Sequence, residues 1–115
     1  MSEPTIHGYH AHIYYEPETR PLAEALRAEM ERLFPQARYG RWHDRLVGPH
    51  PSAMYQVAFG VELFPTLVPW LILHHKPLTV FLHPETGYDL SDHRDRAVWM
   101  GRQQTLDLST LSDPA

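Results

Sequence analysis

An α+β fold, one antiparallel sheet with two helices on one face, is predicted by three observations on this sequence. Four short segments alternate apolar and polar residues with the period of a strand. Two segments between them have the three-to-four-residue apolar spacing of helices. The order is strand, helix, strand, strand, helix, strand within 115 residues, a length that suits a single domain, residues 1–115, with one core.

The first strand is Tyr9-His10-Ala11-His12-Ile13-Tyr14-Tyr15. Side chains two apart share a face, so His10, His12 and Tyr14 look one way, and Ala11 and Ile13, with Tyr9 and Tyr15, look the other. Glu16-Pro17-Glu18 is a turn, and Thr19 followed by Pro21 starts a helix with a hydroxyl cap and a proline whose missing N–H costs little there. Leu22, Leu26, Met30 and Leu33 form its apolar stripe, opposite Glu24, Arg27 and Glu31, and it ends at Phe34-Pro35. Arg38 to Arg45 is a second strand and Ala53 to Gly60 a third. Gly48-Pro49-His50-Pro51-Ser52 turns between them, because two prolines cannot continue a ladder. Phe64 to His75 is apolar nearly all round and is expected as a buried helix, either with Thr66 as a cap that would leave Pro69 in the first turn or with a kink at Pro69. Leu78 to His83 is the fourth strand, with Thr79, Phe81 and His83 on one face. Asp92 is expected to cap a last short helix through Met100. The core runs from about residue 7 to residue 101, and residues 102–115 form a polar tail expected to be poorly ordered.

This order is that of a ferredoxin-like fold with a four-stranded sheet and both helices on one face. The first strand then lies between the third and fourth and antiparallel to both. Alternation sends Ala11, Ile13, Leu78, Val80 and Leu82 under the helices and leaves His10, His12, Tyr14, Phe81 and His83 on the open face. The fourth strand runs opposite to the first, so His83 at its end returns beside His10 and His12. Three imidazoles converging on one rigid face are a candidate metal site. With no cysteine in the chain the ligands are nitrogen and oxygen, which suits Fe, Zn, Cu or Ni. His43, His74 and His75 read as surface or packing histidines.

Composition narrows the partners. The net charge is −4 with Lys and Arg scattered, which argues against a nucleic-acid surface. No apolar run reaches the roughly 18 residues of a membrane span, and Met1-Ser2-Glu3-Pro4 has no signal-like pattern, so a cytoplasmic location is expected.

The segments His10-Ala11-His12-Ile13-Tyr14, Gly48-Pro49-His50-Pro51, Met54-Tyr55-Gln56-Val57, Val68-Pro69-Trp70-Leu71, His83-Pro84-Glu85-Thr86-Gly87 and Asp92-His93-Arg94-Asp95 stand in this order from about Tyr9 to Gly101. Taken together they resemble the DOPA 4,5-dioxygenase family of small ring-cleaving enzymes. The resemblance implies a ferredoxin-like fold, often dimeric, and extradiol cleavage of a catechol such as DOPA with non-haem Fe(II) and O2. It also implies that His10, His12, His50 and His83 serve as metal or acid-base histidines, with His93 a further member. On this reading His10, His12 and His83 hold the metal, His50 moves protons, and Tyr14 and His93 contact the substrate. An exchange of roles between His10 and His50 stays open. Two other functions fit the same fold: a cofactor-free or haem-handling monooxygenase-like dimer, and a non-enzymatic module that binds metal or a small ligand. A homodimer is expected because Tyr14 and Phe81 would make the open face too apolar to leave wet, the other possible cover being the C-terminal segment.

Overall fold

A computed structural model describes residues 3–115; Met1 and Ser2, on which part of the N-terminal reading rests, lie outside the described residues. The sheet has five strands rather than four, in the order β2-β3-β1-β4-β5. They are β1 (Gly8–Tyr15), β2 (Arg38–Tyr39), β3 (Ala53–Phe59), β4 (Thr79–Glu85) and β5 (Val98–Met100), with helices α1 (Arg20–Leu33), α2 (Phe64–His74) and α3 (Asp89–Arg94). As the ferredoxin-like topology requires, β1 lies between β3 and β4 and runs antiparallel to both. No helix among the described residues is long and apolar enough to cross a membrane.

The core beneath α1 and α2 takes Ala11, Ile13 and Tyr15 from β1, Tyr55, Val57 and Phe59 from β3, and Val80 and Leu82 from β4. In α1 the residues that reach it are Ala23, Leu26 and Met30, whereas Leu22 and Leu33 are exposed. The stripe is thus one position narrower on each flank than apolar spacing alone suggests, because a small alanine at Ala23 allows the helix to sit close to the sheet. The Thr19 hydroxyl makes no bond into α1; it accepts from the Glu16 amide in a preceding turn of 3₁₀ helix. In α2, Pro65 rather than Thr66 occupies the start, so Pro69 falls inside the helix and leaves the Pro65 carbonyl without its helical donor. Nor is α2 buried all round, since Ile72 and Leu73 are 57% and 78% exposed.

Three further expectations are corrected. The second strand shrinks to Arg38–Tyr39, after which only His43 bridges back to Met54. Asp92 caps nothing: it lies within α3, 1% exposed, and the chain then extends as β5 instead of continuing as helix to Met100. Val98 and Trp99 are strong strand formers, and Trp99 pairs with Phe81 at the free edge of β4. The third correction concerns residues 102–115, which are not loose. Leu106, with Val47, Ala97 and Trp99, packs against the cluster formed by Tyr14, Met54 and Phe81. The face left open by the strand order is therefore roofed by loop 40–52, α3 and the tail, and Tyr14, Phe81, His12 and His83 are all buried.

Because Ile13 is fully buried under the helices while Leu22 is half exposed, Ile13→Ala is expected to cost about 2–5 kcal/mol. Leu22→Ala should cost about 0.5 kcal/mol or less, and urea midpoints of the two variants check the difference.

Candidate active site

The ladder between β1 and β4 sets His10 directly opposite His83, and His12 opposite Phe81. His12 and His83 then meet across the strands with Nε2 to Nε2 at 3.0 Å. One ring nitrogen from each of His10, His12 and His83 lies within 4.8 Å of the others. Nitrogens bound about 2.1 Å from one tetrahedral ion lie about 3.4 Å apart, so the rings would draw somewhat closer on binding one. Small side-chain rotations suffice.

The outer nitrogens of two rings are held. His83 Nδ1 donates to the Pro84 carbonyl at 2.9 Å, with the Glu85 carboxylate at 3.4 Å. His10 Nδ1 stands 3.1 Å from Glu85 Oε1. Both rings therefore keep their Nε2 lone pairs free, the arrangement in which a partner at the far nitrogen orients a ligand. With His83 Nε2 an acceptor, His12 Nε2–H donates to it, and His12 Nδ1 is left buried with no partner. An unsatisfied buried nitrogen costs about 1–3 kcal/mol. Moving the His12 proton from Nε2 to its unpartnered Nδ1 would turn three nitrogen lone pairs toward one another, a set that suits a divalent cation.

Burial keeps these rings neutral. Desolvation, then the His93 ring, brings His83 down to about 3. His12 is held well below the ordinary histidine value, first by burial and then by the imidazoles of His50 and His83. His10 is also lowered, chiefly by burial, and Glu85 is raised by burial and by Asp89 and Asp92. Burial here outweighs the mutual attraction of His10 and Glu85, so their contact is a neutral N–H donating to a carboxylate. It is not an ion pair.

Two histidines from outside the sheet complete a ring around Phe81. His50, on the loop before β3, stacks 4.2 Å from His12 between ring centres, and its Nδ1 is 2.7 Å from the Tyr14 hydroxyl. Burial brings His50 down to about 4 and pushes Tyr14 far above its ordinary value, so both are neutral near pH 7. His93, on α3, stacks 4.0 Å from His83, and its Nδ1 donates to the Asp89 carbonyl. Phe81 touches the rings of His12, His50, His83 and His93 at centre distances of 5.4–6.1 Å. All six residues singled out by sequence are thus brought together: His10, His12, Tyr14, His50, His83 and His93. His43, His74 and His75 stand apart, His75 bonded to the Leu78 carbonyl and His74 stacked on Trp70.

Sequence reasoning missed Glu85 and the clamp behind His93. Glu85 is two residues after His83 and shares its face, a signal hidden by ending the strand at His83, before Pro84. Proline is tolerated there because β5 pairs only as far as Leu82, leaving the outer side of β4 free. The clamp is the buried Asp92, which accepts from the Thr86 amide and hydroxyl at 2.8 and 2.7 Å and from Arg96 at 3.1 Å. A cavity of about 480 Å³ also borders His83, walled by Ile6, Tyr9, Phe64, Leu82 and Val98. Tyr9, Phe64 and Leu82 belong to the helix-covered side, so this space lies mainly across the sheet from the imidazoles.

Over residues 9–110 the sequence matches the Dopa 4,5-dioxygenase family. It is 37% identical over 115 residues to an uncharacterized 21.2 kDa protein of Botryotinia fuckeliana, an alignment covering 90% of this chain and 63% of that protein. It is 27% identical over 114 residues to the DOPA 4,5-dioxygenase of Amanita muscaria, covering 92% of this chain and 50% of that enzyme. The chain therefore spans between half and two-thirds of the length of these relatives. Its fold overlays the crystal structure of a "putative dioxygenase" from Nostoc punctiforme with a TM-score of 0.87 and 41% identity, covering 90% and 89% of the two chains.

The buried imidazoles make stability pH-dependent. An unfolded histidine takes up its proton near 6.5, whereas folded His50 and His83 do so at about 4 and about 3. Below 6.5 the unfolded chain holds more protons, so stability is full above that value and falls as pH drops through it. The expected slope is up to about 1.4 kcal/mol per pH unit for each histidine. Urea unfolding of metal-free protein between about pH 8 and about pH 4.5 tests this, and a midpoint that does not move would contradict it.

Proposed function

The chain belongs to the Dopa 4,5-dioxygenase family, and on that premise we propose that it cleaves the ring of a catechol such as DOPA beside its two hydroxyls, using O2 and non-haem Fe(II). The observation that carries the proposal is the convergence of three neutral imidazoles, His10 and His83 anchored at their outer nitrogens and His12 with a buried nitrogen left unpartnered, with His50 and His93 packed against them.

In this reading His10, His12 and His83 hold the metal through nitrogen lone pairs that burial keeps unprotonated. Glu85 fixes the rings of His10 and His83 from behind. Bound Fe(II) supplies the electronic link that lets a catechol react with O2. The protein supplies the proton chemistry. His50 is neutral near pH 7 and so is a base in the resting site, able to take a catechol hydroxyl proton. Tyr14, held 2.7 Å from His50 Nδ1, can donate or accept and so orients that ring while offering a hydroxyl to the substrate. His93, its ring centre 4.0 Å from that of His83, is assigned the substrate contact. Phe81 and the tail over it keep water from these groups, which strengthens each hydrogen bond.

Fe(II)-loaded protein is expected to consume one O2 per catechol and form a yellow semialdehyde-type product. His12→Ala and His83→Ala should lose about one bound iron per chain, while His74→Ala should not. His50→Ala should keep iron and lose on the order of 10²-fold to 10⁴-fold in turnover. Iron loss in that variant would make His50 a ligand and free His10 for the proton role. Iron-loaded protein that takes up no oxygen across a catechol panel would leave a binding module as the better reading.

A homodimer is part of the proposal, with its seat revised. The sheet face bearing Tyr14 and Phe81 is already covered by the tail, so the seat proposed instead is the adjacent exposed pair Ile72 and Leu73 on α2, of which Leu73 is the most exposed large apolar residue among those described. Light scattering at micromolar concentration should report a dimer, weakened by Leu73→Asp; a monomeric wild type would refute it.

A further inference from the structure

Two of the five clustered histidines are not on the sheet. His50 rides on a loop and His93 on a helix of six residues, and neither position is set by the ladders that fix His10, His12 and His83. Stacking against a neighbouring ring is weakly directional and does not hold a loop in place. What reaches both is the segment after β5. Leu106 packs against the buried cluster of Tyr14, Met54 and Phe81, which includes the residue bonded to His50. The next amide, that of Asp107, donates to the Pro49 carbonyl at 2.9 Å, one residue before His50. Further on, the Asp113 carboxylate accepts from the Ser91 amide at 3.0 Å and from the Ser91 hydroxyl, two residues before His93.

We infer that residues 104–113 form a strap belonging to the site, in which Leu106 and Asp113 are positioning residues: Leu106 sets His50 and Asp113 sets His93 against the sheet-borne imidazoles. α3 is held from the inner side by Asp92, whose bonds go to Thr86 and Arg96. The Asp113 bonds fasten the same helix from the tail, and within it the His93 ring is held by its bond to the Asp89 carbonyl, so its position follows that of the helix. The strap touches no member of the His10-His12-His83 triad through a hydrogen bond. It therefore acts on the proton-handling and substrate-facing histidines and not on metal affinity. The kinetic consequence rests on the dioxygenase reading above, whereas the geometric one does not.

The test uses full-length protein carrying Leu106→Ala or Asp113→Ala, with histidine ring resonances followed by NMR in the metal-free state. Leu106→Ala should move chiefly the His50 ring signals and Asp113→Ala chiefly those of His93, with smaller ring-current changes at their packed neighbours His12 and His83 respectively and His10 unmoved. Asp113→Asn keeps an acceptor oxygen for Ser91 and should return most of the His93 shift. With iron, both alanine variants should bind the wild-type amount while kcat falls about 10-fold to 10²-fold, the scale on which small misplacements of reacting groups act. Unmoved His50 and His93 signals in both variants would overturn the assignment. So would a shift of all five rings together with a lowered Tm, which would mark general loosening. Ring signals that move as expected in a protein without catechol turnover would support the strap and count against the dioxygenase reading alone.

Discussion

The register between β1 and β4 is the constraint on which the rest of the structure depends. It sets His10 across from His83 and places His12 one diagonal away, so three imidazoles face each other on one side while Ala11, Ile13, Val80 and Leu82 fill the core on the other. Strand side chains alternate with a period of two, so a slip of one residue would drive the imidazoles under the helices and expose the core. Because the apolar face is so fully buried, the hydrophobic effect that stabilises the domain also enforces the geometry of the polar face. Folding and site assembly are one event.

The cost of that arrangement falls on the imidazoles. They are buried among aromatic rings, with one nitrogen of His12 unpartnered, in a setting that disfavours their charged forms. A packed core would normally avoid such a cluster, since each unmet polar atom weakens the fold. The outer anchors, Glu85 for His10 and the Pro84 carbonyl for His83, recover part of the loss and direct the remaining lone pairs inward. A polar cluster kept neutral, oriented and partly unsatisfied has the character of a site prepared for a ligand.

The roof over this face follows a different logic. A ferredoxin-like sheet with both helices on one side leaves its other face bare, and here the cover comes from irregular chain: loop 40–52, the short α3 and the tail. Such segments have few ladder bonds, so single side-chain contacts fix them, notably the buried Asp92 with Thr86 and Arg96. His50 and His93 ride on these parts.

The alternation His10-x-His12-x-Tyr14, the topology and the placement of His83 beside them were all legible in the sequence, because strand periodicity and antiparallel pairing are local rules that need no knowledge of distant contacts. The same rules carried the division between the helix-covered core and the imidazole face. They did not reveal that β4 runs on through Pro84 to Glu85, since a proline is acceptable only where the neighbouring strand stops, and that depends on where β5 lies. Nor could they show that Asp92 is buried instead of capping, or that the polar tail folds back over Phe81. By itself the sequence determined which residues share a face; only the tertiary structure decided what covers that face and which groups anchor its histidines, because those contacts join segments whose own patterning is too short or too polar to specify a partner.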